Sequence, residues 1–147
     1  MNEVRAAVDN AEKLLADCGI DVDVTADQLW EWFETDLPVP DIELGDVIVN
    51  PLLVVHELVE IDEVLKMGLT ITKDVIVRNP GKIDDAHLKA ARIDLAVAET
   101  IRATEHLKEM TKSIERWCLE KTLAETRRAE YRQLLFDAKK TLASLTR

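Results

Sequence analysis

Residues 50–67, which read NPLLVVHELVEIDEVLKM, decide the fold class of this chain. The stretch opens with Asn50 and Pro51, a capping side chain followed by a residue whose φ is already helical, and Gly68 stops the apolar run. The pattern therefore predicts a helix over about 51–67. Because apolar residues lie nearly all round this helix, we expect it to be buried.

Two further helices are predicted before this one. Apolar residues recur at threes and fours over 3–18, and Gly19 supplies a typical C-terminal stop. Thr25 is a suitable N-cap for a short helix over 26–35. The side chains of this second helix that we expect to face inward are Leu29, Trp30 and Phe33.

Two stretches are predicted to be extended. Residues 36–50 contain two prolines and a glycine, which is typical of a connector, and we expect a short extended piece at 47–49. Residues 69–77 place β-branched side chains at even separations, which predicts a strand or a two-stranded ribbon. The sequence DVIV occurs at both 46–49 and 74–77, so the two extended pieces could pair with each other.

Helical periodicity continues from Ala86 almost to the end of the chain. A single helix of about 60 residues would be roughly 90 Å long and could not fold back on a core, so we expect a break near 111–113. The resulting fold class is mainly α, a helical bundle of four or five helices with a small extended or β-ribbon insertion. The length of 147 residues favours one domain, 1–147.

The net charge of −10 is unevenly distributed. Residues 1–63 carry 2 basic and 17 acidic side chains, a net charge of −15, whereas the remainder, which includes the basic long-helix half 84–147, carries +5. The overall acidity argues against binding to nucleic acid or to an anionic membrane. We expect the acidic half to fold onto the basic half; the alternative is that the basic helical end meets an acidic partner.

The cellular compartment is predicted from what the sequence lacks. The N-terminal residues have no apolar core of the signal-peptide kind, and no run of 18 apolar residues occurs. Cys18 and Cys118 lie in predicted helices without CxxC spacing, which favours small buried side chains over a disulfide or a nucleophile. We therefore expect a cytoplasmic protein.

Helix 51–67 also contains the residues most suited to chemistry. His56, Glu60 and Glu63 follow at i, i+4 and i+7 and so share one helix face, with Glu57 beside them. Carboxylates and an imidazole on a buried face cost free energy unless they are paired, protonated or bound to a cation. A metal ion would compensate the buried charge of these carboxylates and would also bind the imidazole.

The next helix carries a matching face, because His87 and Asp94 are seven residues apart and alternate with small alanines. A set of oxygen and imidazole ligands suits Mg²⁺, Mn²⁺, Fe or Zn²⁺. Such a metal could activate a bound water for hydrolysis, with Glu63 as general base. The candidate metal ligands are His56, Glu57, Glu60, His87 and Asp94.

An ordinary structural interpretation of the same residues stays open. His56 and Glu60 are spaced as a helix-surface pair. The acidic residues beside them could form a solvent-exposed stripe that pairs with basic residues elsewhere in the chain. The acids in this interpretation are Glu57, Asp62 and Glu63, and the basic residues are Lys89, Arg92 and those of the C-terminal helix.

Three resemblances to known families involve this region. Glu57-x-x-Glu60 resembles the first acidic pair of the all-α MazG-type nucleotide pyrophosphohydrolases, which implies Mg²⁺ bound between helices. Histidine and aspartate in helices give a partial similarity to the metal-dependent HD phosphohydrolases. Residues 54–76, VVHELVEIDEVLKMGLTITKDVI, resemble uncharacterised archaeal conserved proteins, and that resemblance carries no activity.

Two functions of different classes are therefore expected. The first is a metal-binding helical protein that hydrolyses a phosphorylated or nucleotide-like small molecule. The second is a non-enzymatic interaction protein whose long C-terminal helix, with Trp117, Tyr131 and Phe136, supplies a surface for a partner. A homodimer through that helix is reasonable under both.

Overall fold

A computed structural model of the chain describes residues 1–37 and 42–146. Within these ranges the chain forms eight helices and no strand, so the mainly α prediction is confirmed, whereas the expected four or five helices were too few. The helices are α1 (Asn2–Asp17), α2 (Ala26–Phe33), α3 (Leu44–Val47), α4 (Pro51–Lys66), α5 (Val75–Arg78), α6 (Pro80–Thr100), α7 (Thr104–Cys118) and α8 (Glu125–Leu145). None of these helices combines the length and the apolar character that crossing a membrane requires.

The backbone forms two compact units, Met1–Asp94 and Leu95–Arg147. The boundary falls inside α6, which starts at Pro80, six residues before the start that periodicity predicts. The single domain 1–147 stays a prediction.

Helix α4 is the central element of the first unit and packs against α1, α2 and α3. Its start is fixed by the side chain of Asn50, which accepts a hydrogen bond from the backbone N–H of Leu52 at 3.1 Å, with Pro51 as the first helical residue. Its end is followed by Gly68, whose φ of +84° favours glycine. The predicted helix over 51–67 and its burial are both confirmed. The buried residues are Leu52, Val54, Val55, Leu58, Val59, Glu60, Ile61, Asp62 and Val64.

Helix α2 presents to the core an aromatic side chain that was not predicted, Trp32, in place of Trp30. Thr25 and Gln28 form a reciprocal capping box, which fixes the helix start. Leu29 is fully buried and Trp32 is 5% exposed, whereas Trp30 is 41% exposed. The prediction for Trp30 was wrong because residue 32 follows 29 at i+3 on the buried face, while residue 30 is rotated by about 100°.

Both predicted extended pieces are wrong within the described residues. Residues 44–47 form the short helix α3, and residues 75–78 form the short helix α5. In α5, Val75 is buried and Val77 is 43% exposed, whereas a strand would put both on the same face. No pairing of 47–49 with 69–77 exists. Residues 38–41 of the predicted connector lie outside the described residues.

The second unit is built on an antiparallel hairpin of α7 and α8. The break predicted near 111–113 was wrong, because these residues lie inside α7. The chain instead leaves α6 at 101–103, where Arg102 adopts a φ of +58° and the N–H of Ala103 donates to the carbonyl of Ala98 at 2.9 Å. This turn has the left-handed residue of a helix C-terminus but uses arginine in place of glycine.

The loop between α7 and α8 is organised by Arg128. Its guanidinium donates to backbone carbonyls of the loop and of the end of α7, and to the carboxylate of Glu125 at 3.1 Å. The carbonyl acceptors belong to Cys118, Glu120 and Leu123. The unpaired carbonyls at the end of a helix need such donors, so Arg128 terminates α7 and fixes the turn.

The aromatic residues expected to form a partner surface are divided between the interior and the surface. Trp117 and Tyr131 contact each other with ring centroids 5.6 Å apart, and Tyr131 is 2% exposed. Phe136 is 63% exposed. Of the three side chains, Phe136 is therefore the one most accessible to a partner.

Candidate metal centre

His56 lies at the centre of a group of ionisable side chains in the first unit. Its side chain is 13% exposed and projects from the middle of α4. Its Nε2 atom lies 3.5 Å from Oε2 of Glu60, one turn further along the same helix. Its Nδ1 atom lies 3.8 Å from Oδ2 of Asp94 on α6. Both nitrogen atoms of the ring therefore face a carboxylate.

Glu57 completes a compact set of ligand atoms on α4. His56, Glu57 and Glu60 each offer one nitrogen or oxygen atom, and these atoms all lie within 4.8 Å of one another. Oε2 of Glu57 accepts a hydrogen bond of 3.2 Å from the indole N–H of Trp32 on α2. The three side chains form a group that could hold one metal ion.

Both candidate residues of α6 lie beside His56. The ring of His87 meets the ring of His56 edge to face, with centroids 5.1 Å apart and an interplanar angle of 68°. Asp94 is 5% exposed and is the carboxylate on the Nδ1 side of His56. The structure thus brings together His56, Glu57, Glu60, His87 and Asp94 from two helices.

Two other acids of α4 have separate positions. Glu63 is half-buried, and it is not part of the compact ligand group found among the described residues. Asp62 is buried and forms an ion pair of 2.7 Å with Lys66. Asp62 is therefore not part of a solvent-exposed stripe, because its side chain is buried.

The electrostatics of His56 follow from burial and from its acidic neighbours. Burial lowers the pKa of the imidazole. The hydrogen bond to Glu60 and the charges of Glu60, Glu57 and Asp94 together raise the pKa by more than burial lowers it, so the pKa is about 9. Without a metal, the ring is an imidazolium at neutral pH. A proton and a metal ion would therefore compete for the same nitrogen atom.

Trp32 is the residue of this region that sequence reasoning missed. It was not expected to face inward, and nothing in its local spacing links it to Glu57, 25 residues away. The spacing of Trp32 three residues after Leu29 is the feature of the sequence that could have predicted its position on the buried face of α2. A buried indole usually finds an acceptor for its N–H, and here the acceptor is a carboxylate of the cluster.

Comparisons with known proteins add no function to this geometry. No protein-family model matches the chain, and no curated protein or solved structure matches it either. The resemblances noted for residues 54–76 and for the acidic pair stay predictions.

Proposed function

We propose that this protein binds a divalent metal ion through His56, Glu57 and Glu60. The observation that carries the proposal is that ligand atoms of these three side chains lie within 4.8 Å of one another on a largely buried helix. One imidazole nitrogen and two carboxylate oxygens are ligands typical of Mn²⁺, Fe and Zn²⁺ sites. Water or a substrate atom would complete the coordination.

The residues of α6 have supporting roles in this proposal. Glu60 faces Nε2 of His56, so we assign Nε2 as the nitrogen that binds the metal. Asp94 faces Nδ1 and would orient the ring, as carboxylates do for many metal-bound histidines. His87 lies against the His56 ring and remains a candidate for an additional ligand.

The reaction proposed for the loaded centre is hydrolysis of a phosphorylated or nucleotide-like small molecule in the cytoplasm. A divalent metal lowers the pKa of a bound water and stabilises the negative charge of a phosphate. Glu63 is the proposed general base, and its support is its position on α4, half-buried and three residues beyond Glu60.

Calorimetric titration of chelator-treated protein with Mn²⁺, Zn²⁺ and Mg²⁺ tests metal binding. We expect one ion per chain and a loss of at least tenfold in affinity for Glu60→Gln, which keeps the side-chain size but removes the charge. Glu31→Gln, on an exposed position of α2, is the control and should bind like the wild type. Absence of binding to the wild type, or equal binding by Glu60→Gln, would contradict the proposal.

Phosphate release from a panel of phosphorylated metabolites and nucleotides tests the proposed reaction. The expected result is turnover that needs the metal, with Glu63→Gln binding the metal normally but losing a hundredfold or more in rate, as expected for loss of a general base. Metal binding without turnover on any member of the panel would reject the hydrolase and leave the metal site standing.

Homodimerisation through α8 is a second proposal, in which the helix binds a second copy of this chain. The observation that favours it is Phe136, which is 63% exposed on that helix. Light scattering over a range of concentrations should show a dimer that Phe136→Ser converts to a monomer. A wild-type monomer at all concentrations would exclude this interface.

A further inference from the structure

The hydrogen bond between Trp32 and Glu57 joins α2 to the candidate metal centre. The indole N–H donates to Oε2 of Glu57 at 3.2 Å, and the Trp32 side chain is 5% exposed. An indole can only donate, and its large ring has few rotamers when it is buried. This contact therefore fixes the orientation of the Glu57 carboxylate from outside the helix that carries it.

The contact also limits how Glu57 can bind a metal. Each carboxylate oxygen has two lone pairs, and Oε2 of Glu57 uses one of them to accept the indole N–H, which leaves a single lone pair of that oxygen for an ion. Ca²⁺ prefers six to eight oxygen ligands and commonly takes bidentate carboxylates. Zn²⁺ and Fe²⁺ accept fewer ligands and bind imidazole well, and Mn²⁺ is typically six-coordinate.

We infer that Trp32 is a positioning residue that holds Glu57 to ligation through a single oxygen, so that the centre selects a transition-metal ion over Ca²⁺. The inference rests on the proposed metal site and adds to it the class of ion. His56 contributes to the same selectivity, because its imidazole nitrogen is a poor ligand for Ca²⁺. Trp32 adds the restriction of the Glu57 carboxylate to single-oxygen ligation. Substitution of Trp32 removes this restriction without changing any of the proposed metal ligands.

The test compares the affinities for Mn²⁺, Zn²⁺ and Ca²⁺ in the wild type, in Trp32→Phe and in Trp30→Phe. Phenylalanine keeps an apolar ring at position 32 but removes the N–H. We expect Trp32→Phe to lose about tenfold or more in affinity for Mn²⁺ and Zn²⁺, with a smaller loss or a gain for Ca²⁺. Trp30→Phe, on the same helix but 41% exposed, should leave all three affinities unchanged.

The outcomes separate this inference from the proposed function. A wild type that binds no metal overturns both. A wild type that binds Mn²⁺, with the same ratio of Mn²⁺ to Ca²⁺ affinity in Trp32→Phe, overturns the role of Trp32 alone. A general loss of packing would weaken all ions equally, so a changed ratio is the result that supports positioning.

A measurement on the unmutated chain covers the case in which Trp32→Phe does not fold. In an ¹⁵N-labelled sample, the indole N–H resonance of Trp32 should broaden when substoichiometric Mn²⁺ is added, because that N–H contacts a ligand of the ion. The resonance of Trp30 should broaden less at the same ratio. A Trp32 resonance that stays sharp while Mn²⁺ binds at one ion per chain would place the ion away from Glu57 and overturn both the inference and the proposed metal site.

Discussion

Nδ1 of His56 lies 3.8 Å from Oδ2 of Asp94, and this contact joins α4 to α6 across 38 residues of sequence. Glu60 approaches the opposite nitrogen of the same ring at 3.5 Å. The imidazole is thus held between two largely buried carboxylates. Without a metal ion, the two carboxylates stabilise the protonated ring of His56. With a metal ion bound, they would hold the same ring in the orientation that ligation requires.

Metal-free protein should lose stability as the pH rises from about 6.5 to 9. The His56 pKa is raised from 6.5 to about 9 by Glu60, Glu57 and Asp94, against the opposing effect of burial. A raised pKa contributes stability that is fully present below the unfolded value and is lost as the pH rises through the folded value. The expected loss is on the order of 3 kcal/mol in the free energy of unfolding.

Urea unfolding in the presence of a chelator, repeated at several pH values, measures this loss. The matched variant is His56→Gln, which keeps a polar side chain but cannot titrate, and it should show a much flatter profile between pH 6.5 and 9. Identical profiles for the two proteins would show that His56 is not the group responsible.

Metal binding should release a proton at neutral pH. The imidazolium of His56 must lose its proton before Nε2 can bind an ion, since a protonated ring has no lone pair to donate. Calorimetric titrations in buffers of different ionisation enthalpy should report close to one proton released at pH 7, and the affinity should rise tenfold per pH unit up to about pH 9. No proton release would place the metal away from His56.

Asp94→Asn should affect both the proton and the metal on His56. Removing the charge on the Nδ1 side removes one of the interactions that raise the pKa, so the His56 pKa should fall below about 9 while Glu60 and Glu57 still raise it. The metal affinity should fall by roughly 10- to 100-fold, as is usual when an orienting carboxylate is lost. Ring-nitrogen NMR follows the titration, and an unchanged pKa would argue against the pairing.

Arg128→Lys should destabilise the second unit by about 1–3 kcal/mol. A lysine side chain cannot donate to the carbonyls of Cys118, Glu120 and Leu123 together, so the turn after α7 would lose hydrogen bonds to a charged donor. Arg132→Lys, at an exposed position of α8, should stay within about 0.5 kcal/mol of the wild type. Equal denaturation midpoints for the two variants would contradict this role of Arg128.

Arg102→Gly should stabilise the protein, although it removes a side chain. The φ of +58° at this position is unfavourable for arginine and easily adopted by glycine, so a gain of about 0.5–1 kcal/mol is expected. Arg102→Ala, which keeps a Cβ and therefore the unfavourable backbone, is the control and should not gain. The comparison is made by thermal unfolding, and a lower stability for Arg102→Gly would show that the side chain matters more than the backbone.

The sequence predicts the parts of the fold that depend on local signals. The start of α4 follows from the Asn50 side chain and the fixed φ of Pro51, and its end from Gly68, so both bounds agree within a residue. The i, i+4 spacing of His56 and Glu60 likewise predicts their contact, since the helix alone brings them together. His87 and Asp94 both contact His56, as predicted for one face of the following helix.

The remaining features depend on tertiary contacts. The chain turns at Arg102, where no glycine or proline marks the end of a helix, and the turn before α8 needs Arg128, which lies beyond it in sequence. Val75 belongs to a helical turn although its neighbours are β-branched, because packing can override local propensity. The Trp32–Glu57 contact joins two helices and has no local signature.

Diffraction from crystals soaked in Mn²⁺, recorded near the manganese absorption edge, would locate the ion relative to His56 and Glu60. We expect one anomalous peak within bonding distance, about 2.0–2.3 Å, of Nε2 of His56 and of a carboxylate oxygen of Glu60. The peak should be weaker in crystals of Glu60→Gln that are soaked at a Mn²⁺ concentration near the wild-type Kd. A wild-type map with no peak at this cluster, in crystals whose solution contains saturating Mn²⁺, would contradict the metal centre.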